Sequence, residues 1–443
     1  MNKKMILSLV LGVTSTVAFS GENLEDAFSE TKWSGQIRSF YINRNWSGSI
    51  GDGIVDRDAL ALGGYLHMET GKWNRLSLGL GFYTTNAIYT DSNLAAVDGT
   101  LFGENKDSYS LLGEAYVKYN GDNSSFKAGR QKLKTPFLGT DDARMLPSLF
   151  MAYTFEYSGL ENTSIIVSHV NKMAAGTFSN AYPQVGISNG SITAGGALSL
   201  ASGYGLNNES NRFMNIGNYT SGQYNNGLYL AGAKYKMSDA VTLQAWDYYA
   251  TDLFNTLYLQ ADYKSSNDGG FAPFVSGQYI GQSDVGSNDL GKVDSSYFAV
   301  KAGATNGTVS AYLAYSTNDS NNNSATNGGV MAPWAGMPAF TQAMATRHQF
   351  FADTDSFKVG GRYNFKPMGI NLTLDLYHVS FDIGSDNAYV NGVAYTAKES
   401  GFDFIFKPES VKNLSLRFRA NYVRDFKPGL DWDEYRFILN YNF

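Results

Sequence analysis

The chain has 443 residues, 43% hydrophobic, 17% charged and 14% aromatic, with 47 Gly, 9 Pro, no Cys and a formal net charge of -6. These figures exclude collagen-like, disulfide-rich and zinc-ribbon classes, and so many aromatics beside so small a net charge exclude wholesale disorder. The acidic balance argues against a nucleic-acid partner, and a mean hydropathy of -0.26 is too low for a bundle of membrane helices.

Lys3 and Lys4 precede a mostly apolar stretch from Met5 to Val17, and Ala18-Phe19-Ser20 supplies small residues at cleavage-site spacing. Residues 1–20 therefore read as a secretory signal peptide. Residues 21–31 read as a periplasmic segment with a short helix from Asn23 to Glu30, capped by Asn23 and carrying Glu25 and Asp26 in its first turn. Residues 32–443 read as one domain. No uncharged apolar run there reaches the ~20 residues of a spanning helix.

Alternation of period two dominates that domain. Leu76, Leu78, Leu80 and Phe82 face away from Ser77, Gly79 and Gly81; Leu257, Leu259, Ala261 and Tyr263 alternate with Gln260 and Asp262. Phe357, Val359 and Tyr363 interleave with Lys358 and Arg362, Leu372, Leu374 and Leu376 with Thr373 and Asp375, and Leu414, Leu416, Phe418 and Ala420 with Arg417 and Arg419. The chain ends on Tyr435, Phe437, Leu439, Tyr441 and Phe443, like the last strand of an outer-membrane barrel. About eighteen such strands can be drawn. The turn 237–240 is short, whereas 171–226 and 318–353 are long and rich in Gly, Asn and Ser, as periplasmic turns and extracellular loops should be. The predicted fold is all-β: a transmembrane antiparallel β-barrel whose Tyr and Phe form interfacial girdles.

If the apolar parity faces lipid, the other parity faces a water-filled lumen. A charge on the lipid face costs about 2–4 kcal/mol at midplane, so the assignment is strongly forced. It places Lys358, Arg362, Arg417, Arg419 and Arg436 in the lumen, with Glu114, Asp262, Asp375 and Asp403 opposing them. Like charges on neighbouring strands repel, so a row of arginines points to solute handling. Arg38 and Arg44 share a parity with Phe40 and Ile42, which leaves their direction open.

Arg38-Ser39-Phe40-Tyr41-Ile42-Asn43-Arg44, Lys127-Ala128-Gly129-Arg130-Gln131, Thr135-Pro136-Phe137, Asp141-Asp142-Ala143-Arg144-Met145-Leu146-Pro147, the stretch Asn413 to Arg419 and Asp433-Glu434-Tyr435-Arg436 together resemble the OprD family of outer-membrane porins. The resemblance runs from the first strand to the last and is densest at both ends and around 127–159. It implies an eighteen-stranded monomer or loose homotrimer in the bacterial outer membrane, narrowed by inward-folded loops. It also implies a basic ladder of Arg44, Arg57, Arg144, Arg417, Arg419 and Arg436 guiding carboxylates, and a constriction loop from Lys134 to Ala152 that carries Asp141, Asp142, Arg144 and Pro147. A second inward loop is expected within 318–353, where Pro333-Trp334-Ala335-Gly336-Met337-Pro338 is stiff and apolar.

Catalysis has little to draw on. His67, His169, His348 and His378 are the four histidines, with no HExxH pattern and no Cys, so no metal, cofactor or enzymatic activity is expected. Asp284, Asn288, Asp289 and Asp294 lack EF-hand spacing. The expected function is passive diffusion of small hydrophilic solutes, with carboxylates or amino acids favoured, and the expected partners are membrane lipid and solute. An unselective general porin and a structural or adhesive barrel working through loop 171–226 are the alternatives.

Overall fold

The computed structural model describes residues 23–443, apart from 182–185, 190, 208, 210, 267 and 268; the signal-peptide reading of residues 1–20 lies outside the described residues. Asn23 caps a helix, α1, over Leu24–Ser29, as expected, and Gly71 donates its N–H to Ala27 O at 2.8 Å, docking that helix on the turn 70–75.

Eighteen antiparallel strands follow. They are β1 Lys32–Ser47, β2 Arg57–Glu69, β3 Leu76–Tyr89, β4 Tyr109–Asn120, β5 Ser124–Gln131, β6 Leu149–Tyr157 and β7 Thr163–Ala174. The chain continues with β8 Leu228–Lys236, β9 Val241–Ala250, β10 Phe254–Lys264, β11 Ala272–Asp284, β12 Asp294–Thr305 and β13 Val309–Asn318. It ends with β14 Thr354–Asn364, β15 Leu372–Ile383, β16 Tyr395–Phe406, β17 Leu414–Arg424 and β18 Asp431–Asn442. Each pairs with the next, and β18 returns to β1 from Gln36↔Asn442 to Ser47↔Asp431. Closure leaves no sheet edge, as hydrocarbon requires. Among the described residues no helix is long and apolar enough to cross a membrane.

The predicted parities hold. Leu78, Leu80, Phe82, Leu257, Leu259, Phe357, Val359, Leu376 and Phe437 are exposed on the outside, whereas Ser77, Ser356 and Asp403 are buried inside. At the seam Gly35 and Phe443 exchange two backbone hydrogen bonds, at 2.9 and 3.1 Å. A Cβ on Gly35 would sit 2.5 Å from Phe443 Cζ, so the terminal ring needs this glycine beneath it.

Connections at the end bearing both termini are short, and those at the other end include 90–108, 132–148, 175–227 and 319–353. The constriction loop thus occupies 132–148, and Leu149–Ala152, expected within it, already belong to β6. The loop after β7 hides two helices that alternation could not reveal, α2 over Ala194–Ala201, made of Ala, Gly, Leu and Ser, and α3 over Ile216–Ser221, both largely buried. Thr193 and Asn215 cap them through backbone N–H groups at 2.9 to 3.2 Å.

Loops 132–148, 175–227 and 319–353 turn inward and build a core inside the barrel, in which Phe137, Tyr204, Tyr219, Val330, Met331 and Trp334 are fully buried. The Trp334 ring stacks on Phe254 at 5.2 Å and its indole N–H donates to Thr220 at 3.0 Å. Gln282 on β11 donates to Met331 O at 2.7 Å and accepts from Met331 N at 2.8 Å, as a neighbouring strand would. Glu399 on β16 accepts the N–H groups of Met344, Ala345 and Thr346, at 2.5 to 3.2 Å. An acidic wall residue thus seats the far end of the loop.

His348 completes that seat. Fully buried, it stacks on Phe351 at 4.4 Å and meets the Phe426 ring at a tilt of 52° and 4.5 Å, and its Nε2–H donates to Phe426 O at 2.6 Å. Nδ1 has no hydrogen-bond partner among the described residues. A proton there would be a buried donor with nowhere to go, and burial pushes the imidazole from 6.5 down to about 3, against the Phe426 carbonyl. An unseated loop takes up its proton near pH 6.5 and the seated loop only near 3, so seating weakens as pH falls below about 6.5, by about 1.4 kcal/mol per unit. Single-channel traces should become noisier between pH 6 and 4, and His348→Gln should stay quiet. Equal acid-induced noise in that variant would absolve the ring.

Candidate functional site

Register brings the predicted lumen charges together on one wall. Ile42, Arg436, Arg419, Asp403, Asp375 and Arg362 are successive cross-strand neighbours on β1, β18, β17, β16, β15 and β14. From Arg436 to Arg362 the row spans about 19 Å. Arg44, Glu434 and Asn421 form the next row toward the long loops. Asp375 and Asp403 were expected to oppose the arginines. Instead they lie between them, because the register of β14–β17 pairs Asp403 with Arg419 and Asp375 with Arg362. Arg419 and Arg362 each grip their aspartate with two nitrogens, and Arg417 lies 3.7 Å from Asp403.

A second group of arginines converges on Glu434, which is wholly buried. Arg44 donates to it at 2.9 Å, Arg144 at 3.3 Å, and Arg436 contacts it from two residues away on β18. Asp98, from loop 90–108, lies 3.5 Å from Arg44. Burial raises the Asp98 carboxyl, but Arg44 and Arg144 outweigh burial and hold it below its usual range. Three guanidiniums around two carboxylates out of water are stable only as a set, since removing one partner from a buried pair costs about 3–5 kcal/mol. Arg57, the cross-strand partner of Arg44, also points inward, with its guanidinium 5.8 Å from the Trp46 ring.

The constriction loop is held by ion pairs at three positions. Asp142 accepts from Arg38 at 2.6 and 3.0 Å, which settles the direction of Arg38 as inward. Arg144 ties the loop to Glu434 and, through its Nε, to Thr100 at 3.0 Å. Asp141 accepts from Arg347 of loop 319–353 at 2.8 and 3.1 Å and from the Tyr204 hydroxyl at 2.6 Å, so one carboxylate joins three loops. Asp141 and Ala335 take left-handed backbone at φ 36° and 61°, a conformation kept only where the surroundings over-determine it. Pro147 is half-buried at the foot of the loop.

Exposure separates these charges. The side chains of Arg436 and Arg144 are 0% and 1% exposed, whereas those of Arg419, Arg417 and Arg362 are 14%, 34% and 60% exposed. The remaining acids lie elsewhere: Glu114 on β4 accepts from the Tyr83 hydroxyl at 2.5 Å, and Asp262 on β10 accepts from Gln260 at 2.7 Å.

Sequence reasoning passed over Glu434 and Glu399, although each shares parity with a predicted lumen residue, Arg436 and Asp403, and the same signal would have found them. Asp98 and Arg347 sit in irregular loops, where no periodicity marks a partner.

Residues 25–443 match the family described as outer membrane porin, OprD family. No curated protein matches the chain. Among solved structures it is similar to OccK9 (OpdG) of Pseudomonas aeruginosa, at 19% identity and a TM-score of 0.76, covering 94% of this chain and 99% of that one. OpdK of the same organism, solved with vanillate, gives 16% and 0.75 at the same coverage. A BenF-like porin from Pseudomonas fluorescens Pf-5 gives 16% and 0.74, again at 94% and 99%. With that match across nearly all of its length, a closed eighteen-stranded barrel and loops folded into the lumen, the chain belongs to the OprD family of outer-membrane porins.

Proposed function

We propose that this porin passes small carboxylate-bearing solutes, amino acids among them, by passive diffusion, and that Arg417, Arg419 and Arg362 are the arginines a solute meets. The observation that carries the reading is the row from Arg419 to Arg362 with two aspartates between, flanked by Arg417, in which Arg362 and Arg417 keep accessible guanidiniums. A carboxylate can share Arg417 or Arg362 without displacing a buried partner, while Asp375 offers an oxygen to an ammonium group. In a narrow, low-dielectric channel such charges concentrate a solute of complementary sign and require no energy source. The vanillate bound by OpdK is itself an aromatic carboxylate, which supports the class of solute.

On this reading Arg44, Arg144 and Arg436 act through position: they hold the constriction loop against β18 and do not touch the solute. Their guanidiniums are engaged with Glu434 and Asp98, and exchanging a buried partner for a passing solute would cost more than the solute returns.

Two outcomes follow. Arg417→Gln and Arg419→Gln should each lower the anion-to-cation permeability ratio, read from reversal potentials in a salt gradient, by about two- to fivefold, the scale of one accessible charge contact. An unchanged ratio in both would leave an unselective porin. Asp141→Asn should act differently, because it removes the carboxylate that joins Arg347 and Tyr204: conductance should rise, discrimination among solutes should weaken, and the barrel should unfold at lower temperature. Wild-type conductance in that variant would show that the three-loop junction does not set the aperture.

A further inference from the structure

The outer wall of β5–β7 carries two cations that the pore does not use. Arg130 on β5 and Lys172 on β7 flank Met151 of β6 in one cross-strand row. Arg130 shares the outward parity of Phe126, and Met151 that of Tyr153 and Phe155, all three rings exposed on the lipid side. Lys172 reaches the same face after a register shift between Met151 and Ala152, and it is exposed. Two strand spacings, about 10 Å, separate the backbone positions of the two cations.

A cation on the lipid parity is costly at midplane, and the cost falls away toward the interfaces. This pair lies near the extracellular ends of its strands, since β5 ends at Gln131 and β7 at Ala174. Just below it, on the periplasmic side, Tyr153, His169 and Tyr229 stack across β6, β7 and β8 at 6.4 and 4.3 Å. Such amphipathic rings mark the boundary with the headgroups. Arg130 also climbs: its Nη1 donates at 2.8 Å to Leu112 O, three residues beyond its partner Ala115 toward the extracellular end of β4. A long cationic side chain that leaves hydrocarbon for the headgroup layer behaves in this way.

The protein does not neutralise the pair. Among the described residues neither cation forms an ion pair, and Glu209, in the loop that pairs with Lys172 through Asn215, is taken by Arg212. The Phe213 ring covers the Arg130 guanidinium at 4.7 Å, and with Nη1 on Leu112 O its Nε and Nη2 are left as donors.

We infer that Arg130 and Lys172 form a binding site for the phosphate of an outer-leaflet lipid headgroup, whose acyl chains lie down the apolar wall of Tyr153, Phe155 and Val167. A phosphate monoester brings up to two charges and three acceptor oxygens, enough to engage a guanidinium fork and an ammonium together. A solute in transit does not meet this pair, because the lumen lies on the other face of the sheet.

Native mass spectrometry of the full-length porin, titrated in detergent with bisphosphoryl lipid A, tests it. Each of Arg130→Gln and Lys172→Gln should weaken the tightest binding step by about fivefold, and the double variant by about 25-fold. Arg424→Gln, an outward change on β17, should bind as the wild type does. Unchanged affinity in the double variant overturns the site, and a smaller oligomer in that same case would assign the cations to a contact between copies. Equal binding of dephosphorylated lipid A by the wild type would leave only an apolar groove, and inorganic phosphate binding as tightly as lipid A would leave a free-anion site; either overturns the lipid assignment. The anion-to-cation permeability ratio should stay at the wild-type value in the double variant, and a changed ratio would place the cations in the lumen. Heat-modifiable migration of each variant on a gel establishes that its barrel is folded.

Discussion

Hydrocarbon cannot satisfy a polar group, and the rest of this structure follows from that single constraint. Every backbone N–H and C=O at membrane depth needs a partner within the protein, so the sheet closes from β18 onto β1 and its last residue pairs with Gly35. Closure divides each strand into an outer and an inner parity. A charge on the outer parity is expelled at a cost of about 2–4 kcal/mol at midplane, so the strand charges collect inside. The lumen is charged because the outside cannot be.

Inside, the same charges meet a second limit, since the barrel is crossed by its own loops. Once 132–148, 175–227 and 319–353 fold in, part of the inner wall is dry, and a charge there must be matched or lost. Glu434 is matched by three arginines and Glu399 by a row of backbone N–H groups. Where loops do not cover the wall, Arg362 and Arg417 keep a face to water. One chemical type of residue is thus either locked into an ion-pair cluster or left open to the lumen, and burial decides which.

This division explains what could be read from the sequence and what could not. Period two is a local signal carried by one strand at a time, so Leu257, Leu259, Arg417 and Arg419 were legible, and with them the fold, the strand number and the direction of most strand charges, though not of Arg38 and Arg44. The rotational position of each strand against its neighbour is a pairwise property. Alternation alone could not say that Asp403 stands beside Arg419 and not across the lumen from it. Loop packing was less legible still: Arg347 meets Asp141 across 206 positions of sequence, and nothing in either neighbourhood advertises the other. The apolar residues Phe40 and Ile42 misled for the same reason. They point into the lumen because a folded-in loop covers them, which makes that stretch of inner wall a core.

A constriction assembled from loops gains adjustability and loses independence. Strands and loops hold different groups here: the strands fix where Arg419 and Asp403 stand, while Asp141, Arg347 and Tyr204 join the loops to one another. Strand register cannot drift by one residue without turning every lipid-facing side chain inward, so the charged row is rigid. The loops have no such safeguard. They depend on a few buried polar contacts, each of which leaves an unsatisfied group when broken, and that dependence is why Asp141 serves three loops at once. Strands and loops are also coupled, since the wall residues Arg38, Glu434 and Glu399 are the ones that hold the loops.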